Sequence, residues 1–130
     1  MKTNRMRRGF SLLELTLVLV IIGLLAGVAA VNLVGGAERA AIRTTKTSLE
    51  TVKAAINSYY VTESSYPENL QVLILTKYLE DKPLKDGWDQ PFYYAVPGMN
   101  GREFTLISTG KDKEAGTEDD IDVWTMNEDS

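Results

Sequence analysis

A single carboxylate, Glu14, stands near the start of a long apolar run that directly follows a short basic segment, and this placement limits what the chain can become. The N-terminus reads MKTNRMRRG-FSLLELTLVLVIIGLLAGVAAVNLV. Lys2, Arg5, Arg7 and Arg8 make residues 1–9 a basic leader that ends at Gly9, and Phe10 to Val34 is hydrophobic almost throughout. The run has the length a helix needs to span a bilayer, ~20 residues. An unpaired carboxylate in such a span costs about 2.5–3.5 kcal/mol on insertion scales, so Glu14 calls for a compensating charge. A cut between Gly9 and Phe10 would create one, the new amine of Phe10.

Two other readings stay open from the residues alone. A secretory signal has an apolar core of about 7–15 residues and a small-residue cleavage site after it. The run here is longer, although Ala26 to Ala30 offers small residues of that kind. Glu14 also suits the positive end of a helix in its first turns, a role compatible with pairing to an amine.

G-F-S-L-L-E-L followed by an aliphatic helix resembles the class III signal of type IV pilins and of the pseudopilins of type II secretion. The resemblance implies cleavage after Gly9 by a prepilin peptidase, N-methylation of Phe10, and neutralisation of the Phe10 amine by Glu14 of a neighbouring subunit during assembly. It also implies a single-pass protein of the bacterial inner membrane, with a cytoplasmic N-terminus and a periplasmic domain. The basic leader agrees with that orientation, since positive residues stay on the cytoplasmic side.

With 130 residues, the chain has room for an anchor and one small domain. The leader holds four of the fourteen basic residues, leaving ten against eighteen acids, a side-chain charge near −8. That balance argues against nucleic acid as a partner, because phosphate binding wants clustered Lys and Arg. There is no cysteine and no histidine. The usual nucleophile–base pairs of an enzyme are therefore missing, and a domain facing an oxidising compartment has no disulfide to hold it.

Beyond Val34, Ile42, Leu49, Val52, Ile56 and Tyr59/Tyr60 recur at helical spacing with charged residues between them. The pattern predicts one long helix over about residues 11–61, with Gly23, Gly27 and Gly35-Gly36 as places where it softens. Pro67 is expected to open a second short helix with Leu70, Leu73, Ile74 and Tyr78 on its buried face. Strands are expected at Phe92–Val96, Glu103–Thr109 and Ile121–Met126, the first two joined by a turn through Pro97-Gly98-Met99-Asn100-Gly101. Residues 127–130 read as a frayed tail. The fold class is α+β, a long N-terminal helix packed on a small antiparallel sheet. The organisation is leader 1–9, membrane or filament-core helix 10–34, and a globular domain 35–130 with an acidic loop at 108–122.

The order of elements resembles that of the major pseudopilins over essentially the whole chain, carried by Ser65-Tyr66-Pro67, the Asp86-Gly87-Trp88-Asp89 loop and the final acidic loop. Three departures stand out. Val31 falls where such proteins often have proline. The loop usually written Asp-Pro-Trp-Gly has Gly87 and Asp89 in place of its proline and glycine. Lys113 takes a position commonly filled by glycine. Trp88 is expected to be a packing anchor, since a large ring buries much area.

Ser108 to Asp122 holds six acids and two lysines. Composition alone favours a solvated turn over a cation site, although carboxylate and carbonyl oxygens suit Ca²⁺; the spacing is not that of an EF-hand. The resemblance implies calcium here, around Ser-x-Gly-x-Asp and a later Asp-Asp pair, which Ser108, Gly110, Asp112, Asp119 and Asp120 match. By that likeness Asp112 and Asp119 supply carboxylates, Asp120 a further contact, and Thr109 and Thr117 backbone carbonyls.

The function implied is structural: a subunit of the type II secretion pseudopilus, self-assembling into a helical filament that helps drive protein export across the outer membrane. Its partners would be further copies of itself, minor pseudopilins, the inner-membrane assembly platform and the prepilin peptidase. The rival readings are a type IV pilin and a membrane-anchored calcium-binding module that never polymerises.

Overall fold

The computed structural model describes residues 8–128, so Lys2, Arg5 and Arg7 of the leader and the last two residues of the acidic tail lie outside the described residues. Helix α1 runs Leu12–Glu63. It starts after Ser11, whose hydroxyl accepts a hydrogen bond from the Glu14 amide at 3.1 Å and so caps the first turn. The chain divides into two compact units, one up to Ala37 and one from Glu38 onward.

Within the first unit, α1 is long and apolar enough to cross a membrane. Its large side chains are exposed from Phe10 and Leu12 through Val34. The few polar side chains there bond back to their own helix. Thr16 donates to the Leu12 carbonyl at 2.7 Å, and the Asn32 amide to Val28 at 3.1 Å. Gly23, Gly27 and Gly35-Gly36 do not interrupt the helix, and neither does Val31.

The second unit is built on the remaining turns of α1. Thr45, Leu49, Val52 and Ala55/Ile56 recur every three or four residues and are its buried face. They meet Leu73, Phe92, Phe104, Leu106, Val123 and Met126 in one core. Tyr59 packs against that core, while Tyr60 stays outside it and stacks on Tyr66 with ring centroids 4.4 Å apart. The short helix α2 is Leu70–Leu75. Pro67 does not open it. Asn69 caps it instead, its side chain accepting from the Val72 amide, and Pro67 is buried one turn upstream.

Three antiparallel strands lie in the order β1 (Tyr93–Ala95), β2 (Thr105–Ser108), β3 (Ile121–Asp122). Tyr94 faces Leu106 across the first pair and Ser108 faces Ile121 across the second. A turn of 3-10 helix at Met99–Gly101 lies in the connection between β1 and β2. The third strand is shorter than the expected 121–126. Asp122 stops it: its side chain accepts from the Trp124 amide, and its carbonyl from Thr125 and Met126, turning the chain over the core.

Trp88 is not the packing anchor expected; it is half-buried and lies outside the core cluster. Trp124 takes that role. Its ring centroid is 5.0 Å from that of Phe104, its indole N–H donates to the Phe104 carbonyl at 3.0 Å, and the Lys53 ammonium sits 4.0 Å from the ring centroid.

Candidate functional site

Two places carry the residues of interest. At the N-terminus, Arg8, Gly9 and Phe10 lie ahead of the first helical turn, in backbone with no regular structure. Phe10 is 79% exposed. Glu14 is exposed within the first turn of α1, the carboxylate nearest the start of the apolar run.

The second place is the acidic loop between β2 and β3. Its turns are closed by its own carboxylates. The Asp119 side chain accepts from the Asp112 amide at 2.9 Å and from the Thr117 hydroxyl at 2.6 Å. The Asp112 side chain accepts from the Glu114 amide at 2.9 Å, and that of Asp120 from the Gly116 amide at 2.7 Å. The Thr117 hydroxyl also lies 3.5 Å from the second Asp120 oxygen. Hydrogen bonds from Thr117 first, and then from Asp112, hold the Asp119 carboxyl down at about 2.

The loop thus brings Asp112, Asp119, Asp120 and Thr117 into one hydrogen-bonded set. Thr109, half-buried, stands at its start. Among the described residues, no three acidic side chains converge as a metal cluster. The donor set is nonetheless all oxygen, the chemistry a hard cation takes. Lys113 holds a left-handed backbone, φ 63°, in the turn after Asp112.

What the sequence reading missed is the anchor of this loop. Ser108 is fully buried, and its hydroxyl donates to the Asp86 carboxyl at 2.6 Å while accepting from the Gly110 amide at 3.2 Å. The other Asp86 oxygen accepts from the Trp88 and Gln90 amides, each at 2.9 Å. The next amide, Gly87, donates to the Thr45 hydroxyl at 2.8 Å, and Thr45 in turn donates to the Ala41 carbonyl of α1 at 2.8 Å. The available signal was Thr45 itself, a polar residue four before Leu49 on the face that packs inward.

Beside this anchor, Ile42, Lys46, Trp88, Lys111 and Asp119–Ile121 border an open groove of about 360 Å³. An exposed ion pair between Lys111 and Glu38 spans 3.4 Å at its rim.

A family model described as type II secretion system (T2SS), protein G matches residues 32–125, and one described as prokaryotic N-terminal methylation motif matches residues 4–30. The type II secretion system core protein G of Escherichia coli (strain K12) is 31% identical, covering 98% of this chain and 97% of that protein. That of Vibrio cholerae serotype O1 is 32% identical, covering 98% and 99%. In fold, the chain is similar to the crystal structure of the major pseudopilin from the type 2 secretion system of enterohaemorrhagic Escherichia coli, with a TM-score of 0.61 and 24% identity over 72% of this chain and 95% of that one.

Proposed function

The chain belongs to the type II secretion system protein G family, structural major pseudopilins rather than enzymes, and on that premise we propose that it is processed, methylated and polymerised. The Gly9–Phe10 bond is the site of cleavage by the prepilin peptidase, and the freed Phe10 amine is the site of methylation. The apolar part of α1 holds the monomer in the inner membrane and then lines the core of a periplasmic helical filament. Minor pseudopilins and an inner-membrane assembly platform are its further partners.

The observation that carries this reading is Glu14, the lone carboxylate in the apolar part of α1, whose large side chains up to Val34 are exposed. A surface of that kind is stable only in lipid or against like helices. Within either, Glu14 needs a positive partner, and the Phe10 amine of a neighbouring copy supplies one at the right end of the helix. Pairing of this kind fixes the register of a head-to-tail assembly that does not close on itself.

The test is the intact mass and N-terminal sequence of protein extracted from cells with and without prepilin peptidase. A start at Phe10, one methyl group heavier and dependent on the peptidase, is expected; an intact leader would overturn the reading. Glu14→Ala is expected to leave the protein in the membrane while abolishing crosslinks between neighbouring copies. Crosslinks at wild-type yield would favour a role for Glu14 confined to its own helix, and their absence in the wild type too would point to an anchored module that never polymerises.

Calcium is the proposed ligand of the acidic loop. Asp112 and Asp119 would hold it with carboxylates, Asp120 with a further oxygen, and Thr109 and Thr117 with backbone carbonyls. The support is the all-oxygen donor set and the meeting of Asp119 and Asp120 at one hydroxyl, that of Thr117. A bound cation would relieve the repulsion among six acids and add its binding free energy to that of folding.

A further inference from the structure

We propose that Thr45, Asp86 and Ser108 are positioning residues that lock the acidic loop to one turn of α1, so that order at Gly110–Asp119 and order at Ala41–Thr45 rise and fall together. The proposal rests on hydrogen bonds already present and does not depend on calcium.

The three side chains are buried: Thr45 and Ser108 are 0% exposed and Asp86 is 6%. They come from three distant stretches of chain, a helix, a turn-rich loop and the end of β2. Two hydrogen-bonded pairs of links, Ala41 carbonyl–Thr45–Gly87 amide and Asp86–Ser108–Gly110 amide, are joined into one series by the peptide bond between Asp86 and Gly87. Among the described residues no buried side-chain polar atom lacks a partner. A satisfied polar set of this kind rigidifies what it joins, and the loss of one member leaves its direct partner buried without a bond.

Both ends of the series are also places of close backbone approach. A methyl group at Gly87 would come within 2.6 Å of the Ala41 Cα, and one at Gly110 within 2.7 Å of an Asp119 side-chain oxygen. The loop therefore sits on its anchor, and the anchor on the helix, with no room for slack. The Lys111–Glu38 pair also joins loop to helix, but it is exposed at both partners, and pairs of that kind contribute little. The buried series is what couples the two.

Amide hydrogen exchange on the full-length protein in detergent micelles with chelator present reads this coupling residue by residue. Thr45→Val removes the hydroxyl and keeps the shape; Thr45→Ser keeps the hydroxyl. Thr45→Val is expected to speed exchange at Gly87, and also at Gly110 and Asp112, by about fivefold, the factor one hydrogen bond of ordinary net strength represents. Val52 and Leu106 should keep their rates, and Thr45→Ser should restore wild-type behaviour. Ser108→Ala, approaching from the other end, is expected to speed exchange at Gly87. Faster exchange at Gly87 alone in Thr45→Val, or an unchanged Gly87 in Ser108→Ala, would overturn the coupling. A uniform rise that includes Val52 and Leu106 would overturn it equally, since it would reflect global stability alone.

Discussion

Lys113 and Asp89 hold their backbones in the left-handed region, at φ 63° and 65°, where a β-carbon is crowded and glycine is free. These are the two positions at which the likeness to major pseudopilins leads one to expect glycine, and both keep a backbone conformation that suits it. Asp89 is steadied by Lys85, whose ammonium donates to it at 2.8 Å, and Asp tolerates this conformation better than most. Lys113 has no such help from its residue type. Lys113→Gly is therefore expected to raise stability by up to about 1 kcal/mol, read as a shift in thermal unfolding; a fall would show that the turn is unstrained. Gly87 is the reverse case. A proline there could not donate to Thr45 and would meet the Ala41 backbone, so position 87 of this fold suits glycine and not proline. Asp119 gives a pH signature. Because its carboxyl is held down at about 2, its contribution to stability is present above the ordinary carboxylate range and is lost as pH falls from about 4 to about 2. Asp119→Asn should flatten the acid limb of unfolding in that window, and an unchanged limb would refute the assignment.

At the scale of elements, the helices and strands follow from patterns a reader of the sequence can see. The spacing of Leu49, Val52 and Ile56 gives the inward face of α1, and the alternation of Phe104, just ahead of β2, with Leu106 and Ser108 within it gives the side of that segment turned to the core. What was not legible depends on local side-chain chemistry. Nothing in the apolar pattern of Ile121–Met126 says that Asp122 will bond its own turn and end the strand after two residues. Nor does Pro67 reveal that Asn69 will cap α2. The aromatic packing could be guessed as a class but not as an arrangement. Phe104 gathers Tyr66, Tyr94 and Trp124 within 5.0–6.1 Å between centroids, and it is fully buried. Phe104→Ala is expected to cost about 3–5 kcal/mol, measured by denaturant unfolding. A cost below about 1 kcal/mol would mean that its neighbours close the gap.

For the whole molecule, the sequence made the long apolar helix, the fold class and the acidic loop legible, because each is written in contiguous residues. The buried anchor of that loop was not, since Thr45, Asp86 and Ser108 become neighbours only when the domain is folded. A globular part of this size with no cysteine relies on such a network and on its aromatic core, and a bound ion would add to both. Calcium at a hundred times its dissociation constant would contribute about 2.7 kcal/mol. For a domain of this length that is roughly 10–20 °C in melting temperature. The wild type is expected to show a rise of that order, reversed by chelator, with Asp112→Ala and Asp119→Ala losing it. A wild type that melts identically with and without calcium would remove the ion from the account.

The two tryptophans occupy unlike surroundings, and this gives the protein a pair of built-in optical probes. Trp124 lies beneath the charges of Lys53 and Arg102 and is bonded to the Phe104 carbonyl, so its emission follows the integrity of the core. Trp88 borders the groove beside Asp119 and Asp120, where a change in the loop alters the field and the solvent at its ring. Emission from Trp124→Phe would therefore report the loop alone, and emission from Trp88→Phe the core alone, letting the order in which the two parts loosen be followed without any label.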